Sequence, residues 1–77
     1  MLKDIPLPIQ IRLRTIEVLL IQYGFVNRVV LCDLFGIGDA AVSKDISLYK
    51  KLNKAGCFYN RSSRRIEKLS DFERIFE

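Results

Sequence analysis

Residues 27–53 read NRVVLCDLFGIGDAAVSKDISLYKKLN, and the triplet Gly36-Ile37-Gly38 divides this stretch into a short and a longer helical segment. Asn27 is a good helix N-cap, because its side-chain oxygen can take up one of the backbone N–H groups that a first turn leaves unpaired. The spacing predicts a compact helix from about Arg28 to Phe35, with Val30, Leu31, Leu34 and Phe35 turned inward. The glycines break it, and a further helix is expected from about Asp39, a plausible cap, to Leu52 or Asn53, with Ala55-Gly56 as the stop. Two helices joined by a three-residue glycine-containing turn form the helix-turn-helix arrangement, which sets its second helix into the major groove of DNA. Ile37 should plug the angle between them, held by Leu34, Phe35, Val42 and Ile46.

Projecting the second of these helices at about 100° per residue sorts its side chains into two arcs. Ala41, Val42, Ile46, Leu48, Tyr49 and Leu52 fall on one, and Ala40, Ser43, Lys44, Ser47, Lys50, Lys51 and Lys54 on the other. The outer arc carries no acid. Its N-terminal half is small and polar, suited to approach base edges, and its C-terminal half is rich in lysine, suited to phosphates. Asp45 falls among the apolar residues. An unpaired buried carboxylate is costly, so it needs a partner, for which Arg12, Arg14, Arg28 and Arg65 are available.

Working outward, Pro6 and Pro8 suit a helix start near Leu7, since proline is tolerated in a first turn. Ile9, Leu13, Ile16, Leu20 and Tyr23, with Leu19 alongside, continue it at helical spacing, and Gly24 ends it. Phe25-Val26 reads as a short link to Asn27. Beyond Gly56, Cys57-Phe58-Tyr59-Asn60, Arg61-Ser62-Ser63 and Arg64-Arg65-Ile66-Glu67-Lys68 fit two short strands around a polar turn. On a strand, adjacent side chains face opposite ways, so of Arg64 and Arg65 one should point outward and the other pack inward or pair with Asp45. Ser70 stands three residues before Glu73, a capping-box pattern that predicts a short terminal helix bearing Phe72, Ile75 and Phe76. The expected fold is α+β, mainly α: a three-helix core, a two-stranded wing and a short C-terminal helix, in a single domain over residues 1–77.

The 77 residues leave room for one modest core, and at 49% hydrophobic and 29% charged the composition is that of a globular chain. No apolar run is long enough to span a bilayer and the start lacks a signal-peptide pattern, so a cytoplasmic location is expected. There is no histidine and there are two cysteines, which cannot by themselves complete a four-ligand zinc site. Cys32 and Cys57 read as small core thiols. Without a histidine base, a phosphate loop or a nucleophile elbow, enzyme chemistry is not expected, nor is a cofactor or metal.

The net charge of +4 is unevenly placed. Residues 1–40 balance, whereas residues 41–69 hold eight lysines and arginines against Asp45 and Glu67 alone, and the last eight residues are acidic. A basic block within a folded domain suits a polyphosphate partner, whose condensed counterions are released when cations bind. The expected contacts to double-stranded DNA are Asn27, Arg28, Ala40, Ser43, Lys44, Ser47, Lys51, Arg61, Ser62, Ser63, Arg64 and Arg65. Phe72, Ile75 and Phe76 could instead form a homodimer surface or complete the core against the first helix.

The stretch Ala41-Val42-Ser43-Lys44-Asp45-Ile46-Ser47-Leu48-Tyr49 resembles the recognition helix of winged-helix repressors of the DeoR type, whose motif runs Thr-Val-Arg-Arg-Asp-Leu. The link from Gly24 through Asn27-Arg28 to Phe35-Gly36-Ile37, with Tyr59-Asn60-Arg61-Ser62-Ser63-Arg64-Arg65, resembles the N-terminal winged helix of bacterial regulators that carry a WYL ligand-sensing domain, including those beside phage-defence operons. The likeness covers roughly Ile9 to Lys68. Lys44 stands where arginine is common, and the 77 residues contain no WYL segment. The resemblance implies a transcriptional regulator, and it alone implies repression. The main alternative is a protein-binding winged helix serving as an adaptor, for which exposed aromatic anchors beyond Tyr59 are wanting. Single-strand binding would ask for several aromatic platforms, and an excisionase-like architectural role in a mobile element is a near relative of the DNA-binding reading.

Overall fold

The computed structural model describes residues 4–76. Among them the chain forms α1 (Leu7–Tyr23), β1 (Phe25–Asn27), α2 (Arg28–Phe35), α3 (Asp39–Leu52), β2 (Cys57–Asn60) and β3 (Arg65–Lys68). Local chemistry sets the helix ends. Pro8 sits in the first turn of α1, and Gly24, at φ 81°, donates its N–H to the Leu20 carbonyl and turns the chain out of the helix. Asn27 caps α2 by accepting from the Val29 N–H at 2.7 Å. Gly36 closes α2 in the left-handed region, at φ 65°. Gly38, not Asp39, is the N-cap of α3, which leaves Asp39 as the acid in its first turn.

Phe25-Val26 is more than a link. It opens a third strand, and the antiparallel sheet runs in the order β1-β3-β2. Ile66 lies between Val26 on β1 and Tyr59 on β2, while Glu67 lies between Phe25 and Phe58. Because side chains alternate along a strand, Val26, Ile66 and Tyr59 share one face, and it is the face that meets the helices. The wing thus grows out of the core.

Leu13, Ile16 and Leu20 of α1, Leu31 of α2, Val42, Ile46 and Tyr49 of α3, and Val26, Cys57 and Ile66 of the sheet form the buried cluster, with Phe76 from the tail. Ile37 and Phe35 pack partly buried against it, as the turn between the helices requires. The short helix departs from expectation, because of its expected inner residues only Leu31 is fully buried, and Val30 and Leu34 are 50% and 56% exposed. An eight-residue helix offers the core one narrow stripe, and Leu31 fills it. Tyr23, the last residue of the apolar spacing along α1, is also exposed. No helix among the described residues is long and apolar enough to cross a membrane.

The expected terminal helix does not form. Residues 70–76 run as turns and irregular chain, and the reason lies in Glu17, a carboxylate buried in the inner face of α1. Its Oε1 accepts from the Ile75 N–H at 2.7 Å and its Oε2 from the Phe76 N–H at 2.9 Å. Those two donors are therefore spent on a side chain instead of on the carbonyls a helix would offer. The Asn53 amide adds a bond to the Glu73 carbonyl at 3.0 Å. A helix this short gains too few internal bonds to offset its nucleation cost, so the outside acceptor wins. The tail lies on the core: Phe76 is buried, and Phe72 and Ile75 pack against the same cluster.

Candidate nucleic-acid interface

α3 turns one edge to solvent and the opposite edge to α1. Inward, Val42, Asp45, Ile46 and Tyr49 are buried. Asp45 is held by Arg12, whose Nε lies 2.6 Å from Oδ2 and whose Nη2 lies 3.2 Å from Oδ1. Arg12 is thus the partner, and Arg65 is not. The Tyr49 hydroxyl donates to Glu17 at 2.7 Å and accepts from Asn53 at 3.2 Å, and burial pushes its ionisation far above the usual tyrosine range. Among the described residues, no buried side-chain nitrogen or oxygen lacks a hydrogen-bond partner.

Outward, Ala40, Lys44, Ser47 and Lys51 are exposed and Ser43 half-buried. Ser43, Lys44, Ser47 and Lys51 line one shallow depression with Leu48, so the residues expected to face a groove do share one surface. Lys50 and Ser47 border a second hollow with Arg28, Ser43, Tyr59 and Arg61, which carries the basic face of α3 across to the sheet.

The β2–β3 turn is built by Asn60, whose Oδ1 accepts from the N–H groups of Ser62 and Ser63 at 3.0 and 3.2 Å. Arg61, Ser62 and Arg64 are exposed at its tip and Ser63 is half-buried. Arg64 takes the left-handed conformation, φ 55°, and precedes β3 instead of lying on it. The expected inward arginine is not found: Arg64 belongs to the turn, and Arg65, next to the core-facing Ile66, lies on the outer face of the sheet. Arg65 stacks on the Phe25 ring, 4.0 Å from its centroid, and bonds Glu67 at 2.7 Å. Glu67 also accepts from Asn60 and Ser63. The Arg65 bond first, and those two after it, hold the Glu67 carboxyl below its ordinary value.

Besides Ser63 and Arg65, two further expected contact residues are engaged inside the protein. The Asn27 oxygen is the α2 cap. The Arg28 guanidinium reaches Asp39, Ser43 and Tyr59, and bonding to Tyr59 first and to Asp39 after it, partly opposed by burial, raises its pKa further. Arg28, Asp39, Tyr59, Arg61 and Arg64, with Val29, line a cleft of about 430 Å³ between α3 and the wing. Asp39 and Tyr59 had no place in the sequence-based set. Alternation on β2 could have marked Tyr59, whereas Asp39 was hidden by its reading as a cap.

No curated protein matches this sequence. Residues 8–77 match the family model of the BrxR transcriptional regulator winged helix-turn-helix domain. The match takes in all three helices, the turn between α2 and α3, and the wing. The chain belongs to that family, the winged helix-turn-helix domain of BrxR transcriptional regulators.

Proposed function

We propose that this domain binds double-stranded DNA in a sequence-specific manner and represses transcription, with α3 in the major groove and the β2–β3 turn on the backbone or in the minor groove. The observation that carries this reading is one continuous basic surface. It runs from the exposed edge of α3 to the tip of the wing, and the one acid lining it among the described residues, Asp39, is ion-paired with Arg28 at 2.8 Å. Ala40 permits close approach, Ser43, Lys44 and Ser47 meet base edges, and Lys51, Arg61, Ser62 and Arg64 meet phosphates. Asn27, Ser63 and Arg65 act from behind, by holding α2 and the turn in shape. Two copies on a twofold operator would multiply a small contact area, as is usual for regulators of this size.

The test is selection of bound sites from a random duplex library at a stated salt concentration, followed by affinity measurements across a salt series. A defined motif is expected, with affinity falling steeply as salt rises, since each neutralised phosphate contributes about −0.9 to the log–log slope. Failure to enrich any motif would favour the adaptor reading. Repression is checked separately, by placing the selected site in a promoter and measuring reporter output with and without the protein.

A further inference from the structure

We infer that Arg28 is a positioning residue for base recognition: its guanidinium fastens the first turn of α3, with the Ser43 hydroxyl, to β2. This rests on the reading of α3 as the helix that enters the groove. The guanidinium donates Nε–H to Asp39 Oδ1 at 2.8 Å, Nη1–H to the Tyr59 hydroxyl at 3.1 Å, and Nη2–H to both the Asp39 carbonyl at 3.3 Å and the Ser43 hydroxyl. Four of its five N–H groups are thereby committed. Its side chain is 19% exposed, against 75% for Asp39. The backbone adds a link, because the Arg28 N–H donates to the Arg64 carbonyl at 3.2 Å. One residue at the start of α2 thus touches the start of α3, the middle of β2 and the turn at the wing tip.

The geometry has a chemical consequence. A serine hydroxyl has one hydrogen and two acceptor sites. Arg28 takes one of those acceptor sites, so the Ser43 hydroxyl is held in place with its hydrogen and its second acceptor site left to meet base edges. Tyr59 accepts from the same guanidinium and is likewise left with its O–H to give. A planar fork is needed to hold three partners on two elements at fixed angles, and lysine, a point charge on a flexible stem, has none.

The test compares the wild type with Arg28→Lys, Arg28→Gln and Tyr59→Phe. Affinity is measured for the selected duplex and for an unrelated duplex of equal length across a salt series, with the melting temperature of each protein. In Arg28→Lys, affinity for the selected duplex is expected to fall about tenfold more than for the unrelated one, a loss typical of one base contact. The salt slope should hold, because the charge is kept. Tyr59→Phe should lose part of the same preference, and adding it to Arg28→Gln should cost little more, since both remove one link. If Arg28→Lys keeps the full preference while Arg28→Gln weakens both duplexes equally and flattens the slope by about 0.9, Arg28 is a phosphate contact and the inference is overturned. It is equally overturned if the variants lower only the melting temperature. Should Arg28→Gln fail to fold, Arg28→Lys and Tyr59→Phe decide the matter. A wild-type protein that binds both duplexes alike overturns the DNA-reading function itself, and this inference with it.

Discussion

Glu17→Gln is the most informative single change to the scaffold. The carboxylate accepts from three donors at once, the Tyr49 hydroxyl and the Ile75 N–H on one oxygen and the Phe76 N–H on the other. Glutamine matches the shape but supplies one acceptor oxygen and places an N–H₂ group where the second oxygen stood. At best Tyr49 and Ile75 keep a neutral acceptor, and Phe76 then faces a donor. Hydrogen bonds to a charged group are worth about 1.5–3 kcal/mol each, and an orphaned buried donor costs about 1–3 kcal/mol. Relief from burying a charge offsets part of that loss. A net destabilisation of about 2 kcal/mol is expected, and in a domain of this size about 4–8 °C of melting temperature goes with each kcal/mol, or roughly 8–16 °C in all. Thermal unfolding followed by circular dichroism gives the shift, and amide exchange at Ile75 and Phe76 locates it. Tyr49→Phe, which leaves both backbone bonds to Glu17 intact, should cost only about 1 kcal/mol. A melting temperature for Glu17→Gln within about 2 °C of wild type, with the two tail amides still protected, would refute the claim that this carboxylate holds the tail.

Three further outcomes follow from single contacts. Arg12→Met leaves the buried Asp45 carboxylate without its ion pair and should cost about 2–3 kcal/mol in urea denaturation, below the usual range for a fully buried pair because Arg12 is 23% exposed; Asp45→Asn in the same background should recover part of it. The depressed Glu67 carboxyl stabilises the wing fully above its unfolded pKa and loses that contribution as pH falls through the lower folded value. Protection of the β3 amides, their exchange relative to the unfolded chain at the same pH, should accordingly fall in acid, and Glu67→Gln should remove that fall. Burial pushes the Cys57 thiol up and its Sγ donates to the Asn53 carbonyl, so alkylation near pH 8 should be much slower in the folded protein than in urea, as read by mass spectrometry; equal rates would contradict its place in the core.

The helix ends were legible because caps are local. Gly24, Asn27 and Gly36 each act on a backbone group within four residues, and a one-dimensional reading sees that far. The two faces of α3 were legible too, down to the inward place of Asp45, because fourteen residues give nearly four turns of pattern. Three residues of β1 give no period at all, and only pairing with β3, some forty residues on, makes them a strand. The tail misled for the opposite reason. Ser70 and Glu73 carry a sound local signal for a helix, but Glu17 outbids it from 58 residues away in sequence. Shorter separations, of 11 to 31 residues, were enough to hide the site's internal wiring. Arg28 reads as one more basic residue beside the wing arginines until the fold sets Asp39, Ser43 and Tyr59 around it.

The placing of polar residues on α3 explains why its basic edge faces one way. Burial of Val42, Ile46 and Tyr49 draws the helix onto the core, but apolar attraction has no direction and would tolerate some rotation about the helix axis. Two polar bonds remove that freedom. Arg12 grips Asp45 and Glu17 grips the Tyr49 hydroxyl, and since both grips come from α1, one turn apart on α3, they fix the rotation of one helix against the other. Arg28 fastens the first turn of α3 from the wing side. Each residue of an α-helix advances about 100°, so even a fraction of that rotation would carry Ser43, Lys44 and Ser47 off the face they share. The buried charges, which add little net stability as pairs, are therefore best understood as setting the angle at which the exposed edge of α3 is presented.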